Sequence, residues 1–299
     1  MDRLDSMRVF LAVADAGGFG AAARRLVLSP AAVTRAVAAL ESRIGTRLLH
    51  RTTRSLRLTE AGERYREDCR RILAEIAEAE ASAAGAHAEP RGTLTVTAPL
   101  LFGRMHVAPV ILDFLARHPA LGIRLLLLDR VVDMLEEGID VAIRIAHLPD
   151  SGMSALRVGS VRRVLAAAPA YLAAQGEPHG LADLDRLDAI GFAAAPAGQP
   201  WLFTVNGRTS QAHPRMQLVA NTAEVAIAAA LAGRGVIRVL SYQIAAEVAD
   251  GRLRILLAEH EPPPIPIHIV HPEGRRASAR VRAFVDFAAA RLRERKIGG

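Results

Sequence analysis

The side chains with the most chemistry to offer in this sequence are arginines. Arg43, Arg47, Arg51, Arg54 and Arg57 follow one another closely, with His50 among them and no acidic residue from 43 to 57. Guanidinium forks grip phosphate oxygens in paired hydrogen bonds, and a narrow minor groove also draws arginine in. A charge run alone is usually only a solvated face. The segment before it makes this one a candidate nucleic-acid contact. Ser29 can accept a hydrogen bond from an unpaired amide of a first helical turn. Pro30 then takes the first helical position, where its missing N–H costs nothing. Val33, Val37, Leu40 and Ile44 recur as one buried stripe. Thr34 and Arg35 fall on the opposite, solvated side near the helix start, where a recognition helix presents side chains to base edges. Ser29, Pro30 and Ala31 at the start itself join them as candidate DNA contacts. Between Arg51 and Leu56 lie only polar residues, with leucines on both sides. That pattern predicts a two-stranded wing with a positive tip, so Arg51, Thr52 and Arg54 complete the set.

Catalytic signatures are missing. The chain has no GxSxG elbow, no HExxH, no P-loop and no GxGxxG between a strand and a helix. Its ten histidines are scattered. The nearest pair, His268 and His271, lies in a strand-like run, where residues three apart point to opposite faces. No catalytic residue, metal site or cofactor is therefore expected. A rival reading, an enzyme with a bilobed fold, would need a reactive group in its cleft, and no nucleophile–base pair is visible. The lone cysteine, Cys69, cannot form an intramolecular disulfide or a CxxC site, and it fits a reducing cytoplasm, where the protein is expected. Residues 1–17 are mixed in polarity, unlike a secretory leader. No apolar run approaches a membrane span.

The elements that must position the basic segment come next. Apolar residues make up 51% of the 299 residues, and the net charge is +7. Residues 1–66 carry 12 arginines against 6 acidic residues, so the excess sits where DNA contact requires it. A long helix is predicted from Thr59 or Glu60 to about residue 88. Ala61, Tyr65, Cys69, Ile72, Ile76, Ala79, Ala83 and Ala86 form a near-heptad seam on it. A lone helix of this kind is marginal and needs a partner. The seam is expected to pair with a second subunit; packing on its own domain is the alternative. EPRG (89–92) reads as a hinge.

From residue 92 the pattern turns α/β. Strands are predicted at 93–98, 123–128 (a buried one), 141–145, 162–168, 189–192, 201–205, 216–220, 235–240, 253–257 and 265–271. Helices are predicted at about 102–117, 131–138, 222–232 and 277–295. The alternation implies a mostly parallel sheet.

Several stretches are shared with one known family. MRVFLAVADAGGF (7–19), AAARRL (21–26), LSPAAVTRAVAALE (28–41), IGTRLLHRTTRSLRLTEAGE (44–63) and GTLTVTAP (92–99) resemble the LysR-type transcriptional regulators nearly end to end. Gly20 departs from the family, which often has a capping hydroxyl residue there. The resemblance implies an α/β chain in three parts. Residues 1–59 would be an all-α winged helix-turn-helix and 60–88 a linker helix that pairs two subunits. Residues 89–299 would be a two-lobed effector domain like a periplasmic binding protein. Lobe one would be 92–161 and 266–299, and lobe two 162–265. The implied function is transcriptional regulation through double-stranded DNA at an interrupted palindrome, by a homodimer or homotetramer, under a small-molecule effector.

The effector should sit between the lobes, beyond the carboxyl ends of strands and near helix starts. The candidates are Pro99, Leu100, Leu101 and Phe102 after the first strand, Arg144 and Ile145 at a strand end, and Asn221 and Thr222 at a helix start. Asn221 with Glu224 also fits a capping box, and Arg144 also fits a solvated strand position. The apolar loop 99–102 favours a ligand with an aromatic or alkyl part.

Overall fold

A computed structural model describes residues 1–51, 56–83, 90–149, 152–192, 200–272, 277–295 and 297. The chain divides into two compact units, Met1–Glu89 and Pro90–Gly299. Among the described residues no helix is long and apolar enough to cross a membrane.

The first unit packs α1 (Arg3–Ala16), α2 (Phe19–Leu26) and α3 (Pro30–Ile44) around Phe10, Val13, Val33, Val37 and Leu40. Ser29 caps α3, its hydroxyl accepting from the Ala32 amide at 3.2 Å. The buried stripe of α3 ends at Leu40, and Ile44 is 39% exposed. Gly18, not Gly20, holds the cap position of α2, so the family's missing hydroxyl is an internal helix residue here. At the other end of α2, Val27 takes the left-handed conformation (φ +55°), and the amides of Val27 and Leu28 close back on Arg24 and Ala23. That position usually carries glycine. Strands β1 (Leu49–Arg51) and β2 (Leu56–Leu58) pair antiparallel, with His50 opposite Arg57.

Helix α4 (Glu60–Ala83) follows. Thr59 starts it: its hydroxyl accepts from the Gly62 amide and donates to the Arg47 carbonyl. A Cβ on Gly62 would stand 2.0 Å from the Leu48 carbonyl oxygen, so only glycine lets α4 lie this close to the wing. The seam does not behave as expected along its first half. Cys69 is fully buried in the first unit's own core, and Ala61, Tyr65, Ile72 and Leu73 pack against that core. Tyr65 meets Phe10 at 5.6 Å between ring centroids. Cys69 and Ile72 therefore serve the fold of their own unit, because α1–α3 leave a face of Phe10 that only α4 covers. Burial pushes the Cys69 thiol up to about 11, which leaves it an inert apolar group.

The second unit begins with β3 (Gly92–Ala98). Helix α5 (Leu100–Phe102) runs through a π-helical stretch (Gly103–Val107) into α6 (Ala108–Arg117), so this helix starts two residues earlier than expected and carries a bulge. Then come β4 (Leu121–Leu127), β5 (Val141–Ile145), β6 (Ser154–Val161), β7 (Arg163–Ala167), α7 (Pro169–Gln175), β8 (Asp188–Phe192), β9 (Trp201–Val205) and β10 (Arg208–Ala212). The chain ends with β11 (Arg215–Ala220), α8 (Ala223–Leu231), β12 (Val236–Leu240), α9 (Ala245–Ala249), β13 (Arg254–Leu256), β14 (Ile265–His271) and α10 (Ala279–Glu294). Two five-stranded sheets result, ordered β4-β3-β5-β14-β6 and β11-β8-β12-β7-β13. Each is mixed, not mostly parallel: β14 runs antiparallel to β5 and β6, and β7 antiparallel to β12 and β13. The polypeptide passes between the sheets twice, after Val161 and before Ile265. Arg162 at the first crossing grips Glu261 at the second, at 3.1 and 3.2 Å.

Other expectations fail for local reasons. No helix forms over residues 131–138, where 134–138 are a run of turns. Asp133 accepts the Leu135 and Glu136 amides, and Gly138 turns left-handed at φ +62°. Strand β4 is a sheet edge and mostly half-buried, despite its leucines. Strands β6 and β10 and helix α7 carry too little periodicity to have been read in advance.

Candidate functional site

In the first unit, Ser29, Pro30, Ala31, Thr34 and Arg35 are all exposed along the start of α3, opposite buried Val33, Ala36 and Val37. Thr34 donates its hydroxyl to the Pro30 carbonyl at 2.9 Å, so a lone pair or its methyl is what remains for a base edge. The one acidic residue of α3 is already occupied. Glu41 accepts the amides of Leu48 and Leu49 at 2.9 and 3.1 Å, tying the helix to the wing. His50 and Arg57, a cross-strand pair, are both exposed. Arg51 lies in β1 opposite Leu56; Thr52 and Arg54 lie outside the described residues.

In the second unit, a cavity of about 780 Å³ is lined from both sheets, by Arg144 and Ile145 at the end of β5 and by Arg238 and Leu240 on β12. Pro99 is on its wall too. The other expected ligand contacts lie elsewhere. Leu101 and Phe102 are buried in the main core, because the chain turns into α5 one residue after Pro99. The Leu100 amide is taken by Asp129 at 2.9 Å. Asn221 and Thr222 do not line the cavity. Thr222, not Asn221, is the cap residue of α8, with no side-chain cap, so the expected Asn221–Glu224 box does not form. Glu224 instead pairs with Arg104 on the π-helical stretch at 2.9 Å.

The cavity also gathers residues that had no local signal. Trp201, Phe192, Met216 and Val219 give it an apolar wall, and Tyr242 closes one side. Tyr242 meets Phe102 and His106 edge-on, with ring centroids at 5.2 and 5.5 Å, on the first sheet's helix. Arg144 donates to the Val132 carbonyl at 3.3 Å, and burial pushes its pKa down. Arg130 is spent on Glu137, in two bonds of 2.7 and 2.8 Å. Arg163 opens the apolar run of β7, and Arg238 interrupts that of β12. That was the available clue, since a charge inside a buried strand is expensive unless it has a task.

Residues 4–63 match the family model for the bacterial regulatory helix-turn-helix protein of the lysR family, and residues 87–293 match the LysR substrate binding domain. The two units thus define a class: a transcriptional regulator that binds DNA with one unit and answers to a small-molecule effector with the other. The chain is 35% identical over 291 residues to an HTH-type transcriptional repressor of Pseudomonas aeruginosa, covering 96% of this chain and 91% of that one. It is 30% identical over 290 residues to the transcriptional regulator CrgA of Neisseria meningitidis, covering 96% of both. The solved structure of CrgA matches with a TM-score of 0.62 over 96% of this chain and 98% of that chain. The full-length Vibrio cholerae virulence activator AphB matches with 0.61 at 25% identity, over 97% and 99%. The chain belongs to the LysR family of transcriptional regulators.

Proposed function

We propose that the chain regulates transcription from the cytoplasm as a homodimer or a tetramer of paired dimers, that it has no enzymatic activity, and that its effector occupies the cavity between the two sheets. Helix α3 enters the major groove with Thr34 and Arg35 at base edges and Ser29, Pro30 and Ala31 beside the backbone. Arg51, Thr52 and Arg54 of the wing meet phosphates or the minor groove, and the site is an interrupted palindrome that mirrors the dimer. Subunits pair through α4 beyond Leu73, where the helix runs on past the last residue that joins its own unit's core. The observation that carries the effector reading is that both sheets contribute residues to one cavity. A ligand touching both biases their relative position, which is the differential affinity a switch needs.

The test is capture of genomic fragments by the full-length protein, followed by sequencing. A small set of enriched sites sharing an interrupted palindrome is expected. Enrichment indistinguishable from input would overturn the reading.

A further inference from the structure

Arg163 and Arg238 occupy one face of the second sheet. In the antiparallel β7–β12 pair Arg163 stands opposite Leu240, and Arg238 opposite Leu165, so the two arginines are diagonal neighbours whose side chains share a face. The other face carries Val164, Ile237 and Val239, buried in the main core. Both guanidinium-bearing side chains line the cavity.

Neither has a carboxylate partner among the described residues. Arg238 donates one terminal nitrogen to the Leu202 carbonyl and lies over the Phe203 ring at 5.1 Å, while its Nε is buried with no hydrogen-bond partner. Among the described lining residues Asp129 is the one acid, and one of its oxygens already holds the Leu100 amide. Burial pushes the pKa of both arginines down, and at Arg238 the positive charge of Arg163 adds to it. Guanidinium keeps its proton in proteins, so the cavity brings together two half-buried, mutually repelling cations that an anion would relieve. Gly235, at φ +149°, brings β12 against the Asp188 carbonyl, where a Cβ would stand at 2.4 Å, and so fixes the strand that carries Arg238.

Building on the effector reading above, we infer that the effector is an organic carboxylate whose anionic group sits between Arg163 and Arg238 and whose apolar body lies against Trp201, Phe192, Met216 and Val219. This puts the anion on the second sheet's own strands, away from the loop at 99–102. The paired geometry suits a carboxylate because two forks can each offer it parallel N–H groups. The apolar wall rejects small, fully hydrated anions, which have nothing to bury there.

Trp201 is the single tryptophan of the chain, so its fluorescence reports directly on the cavity. The full-length protein would be titrated with benzoate and hexanoate, and in parallel with the uncharged benzamide and hexanamide. Saturable fluorescence changes with the acids but not with the amides are expected, and R163Q and R238Q should each weaken the acids at least tenfold. R163Q should also raise the thermal midpoint of the ligand-free protein, because it removes an uncompensated charge. Amides binding as well as acids, or acids binding both variants as well as the parent, would overturn the carboxylate assignment and leave the cavity as the effector site. No saturable change with either series would overturn the cavity reading as well.

Discussion

The two units handle the same side chain in opposite ways. On the first, Arg35 and Arg57 stand exposed, with no carboxylate partner among the described residues. They cost little when empty and suit a polyanion that releases counterions on contact. On the second, Arg163 and Arg238 line a cavity that half-buries them, and that burial disfavours their charge. An exposed arginine surface binds phosphate of any origin, and specificity must come from a few base-edge contacts. A half-buried arginine pair beside an apolar wall is more selective, because a ligand gains from both only if it carries an anion and an apolar body.

The comparison can be broken most sharply in the first unit. Cys69→Asp places a charge in a fully buried site and should cost several kcal/mol, on the order of 3 or more, abolishing both folding of that unit and DNA binding. Ile76→Asp, further along the same seam, should leave that fold intact and weaken self-association. Circular dichroism with sedimentation separates the two; equal unfolding by both would erase the division of α4 into an inner and an outer half. Next in size, Arg35→Ala should lose about 1–3 kcal/mol at the cognate site and much less on random DNA. An equal loss on both would reduce Arg35 to a phosphate clamp. Arg51→Gln with Arg54→Gln should lower affinity for all sequences and flatten the salt dependence, a slope read from binding at several ionic strengths.

In the second unit the pH dependence should run in one direction. Burial holds His106 and His268 below the ordinary histidine value. Both are then neutral in the folded state and take up protons more readily unfolded, so stability is full above about 6.5 and falls as pH drops below it. His106→Phe, which preserves the ring between Phe102 and Tyr242, should blunt that fall in thermal midpoints measured from pH 8 to pH 5. The smallest effect belongs to Val27→Gly, which relieves a β-branched residue at positive φ and should gain about 1 kcal/mol in the first unit. A lower midpoint would show that the Val27 side chain contributes more than its backbone costs.

The legible parts of this molecule were those whose physics is local. Ser29 and Pro30 announced the start of α3, and the apolar stripe told which way Thr34 and Arg35 point, because a cap and a helical period need only neighbours in sequence. The expected helix at 277–295 is α10, and its buried Val281, Phe284, Val285, Ala288 and Leu292 follow the same helical period. Periodicity failed where it had to name a partner. The seam through Tyr65, Cys69 and Ile72 correctly required burial, but a stripe carries no record of what covers it, and the face of Phe10 exposed by α1–α3 supplied the cover. Residues 131–138 had helical spacing, yet Asp133 and Gly138 made turns of them.

The cavity between the two sheets shows the same boundary. Pro99, Arg144 and Ile145 were readable because strand ends in an α/β sheet point toward a cleft. Arg163, Arg238 and Trp201 were not, since they come from strands far apart in sequence that meet only when β7 and β12 pair and the β9–β10 hairpin lies beside them. What the amino-acid order determined by itself was the capped start and the outward face of α3, the long run of α4 and most of the strands, all set by short-range sterics, capping and hydrophobic period, while the class of protein was carried by motifs shared with the LysR-type family. Only the tertiary structure decided which charges are desolvated together, because desolvation depends on everything that packs around a side chain and on nothing that precedes or follows it.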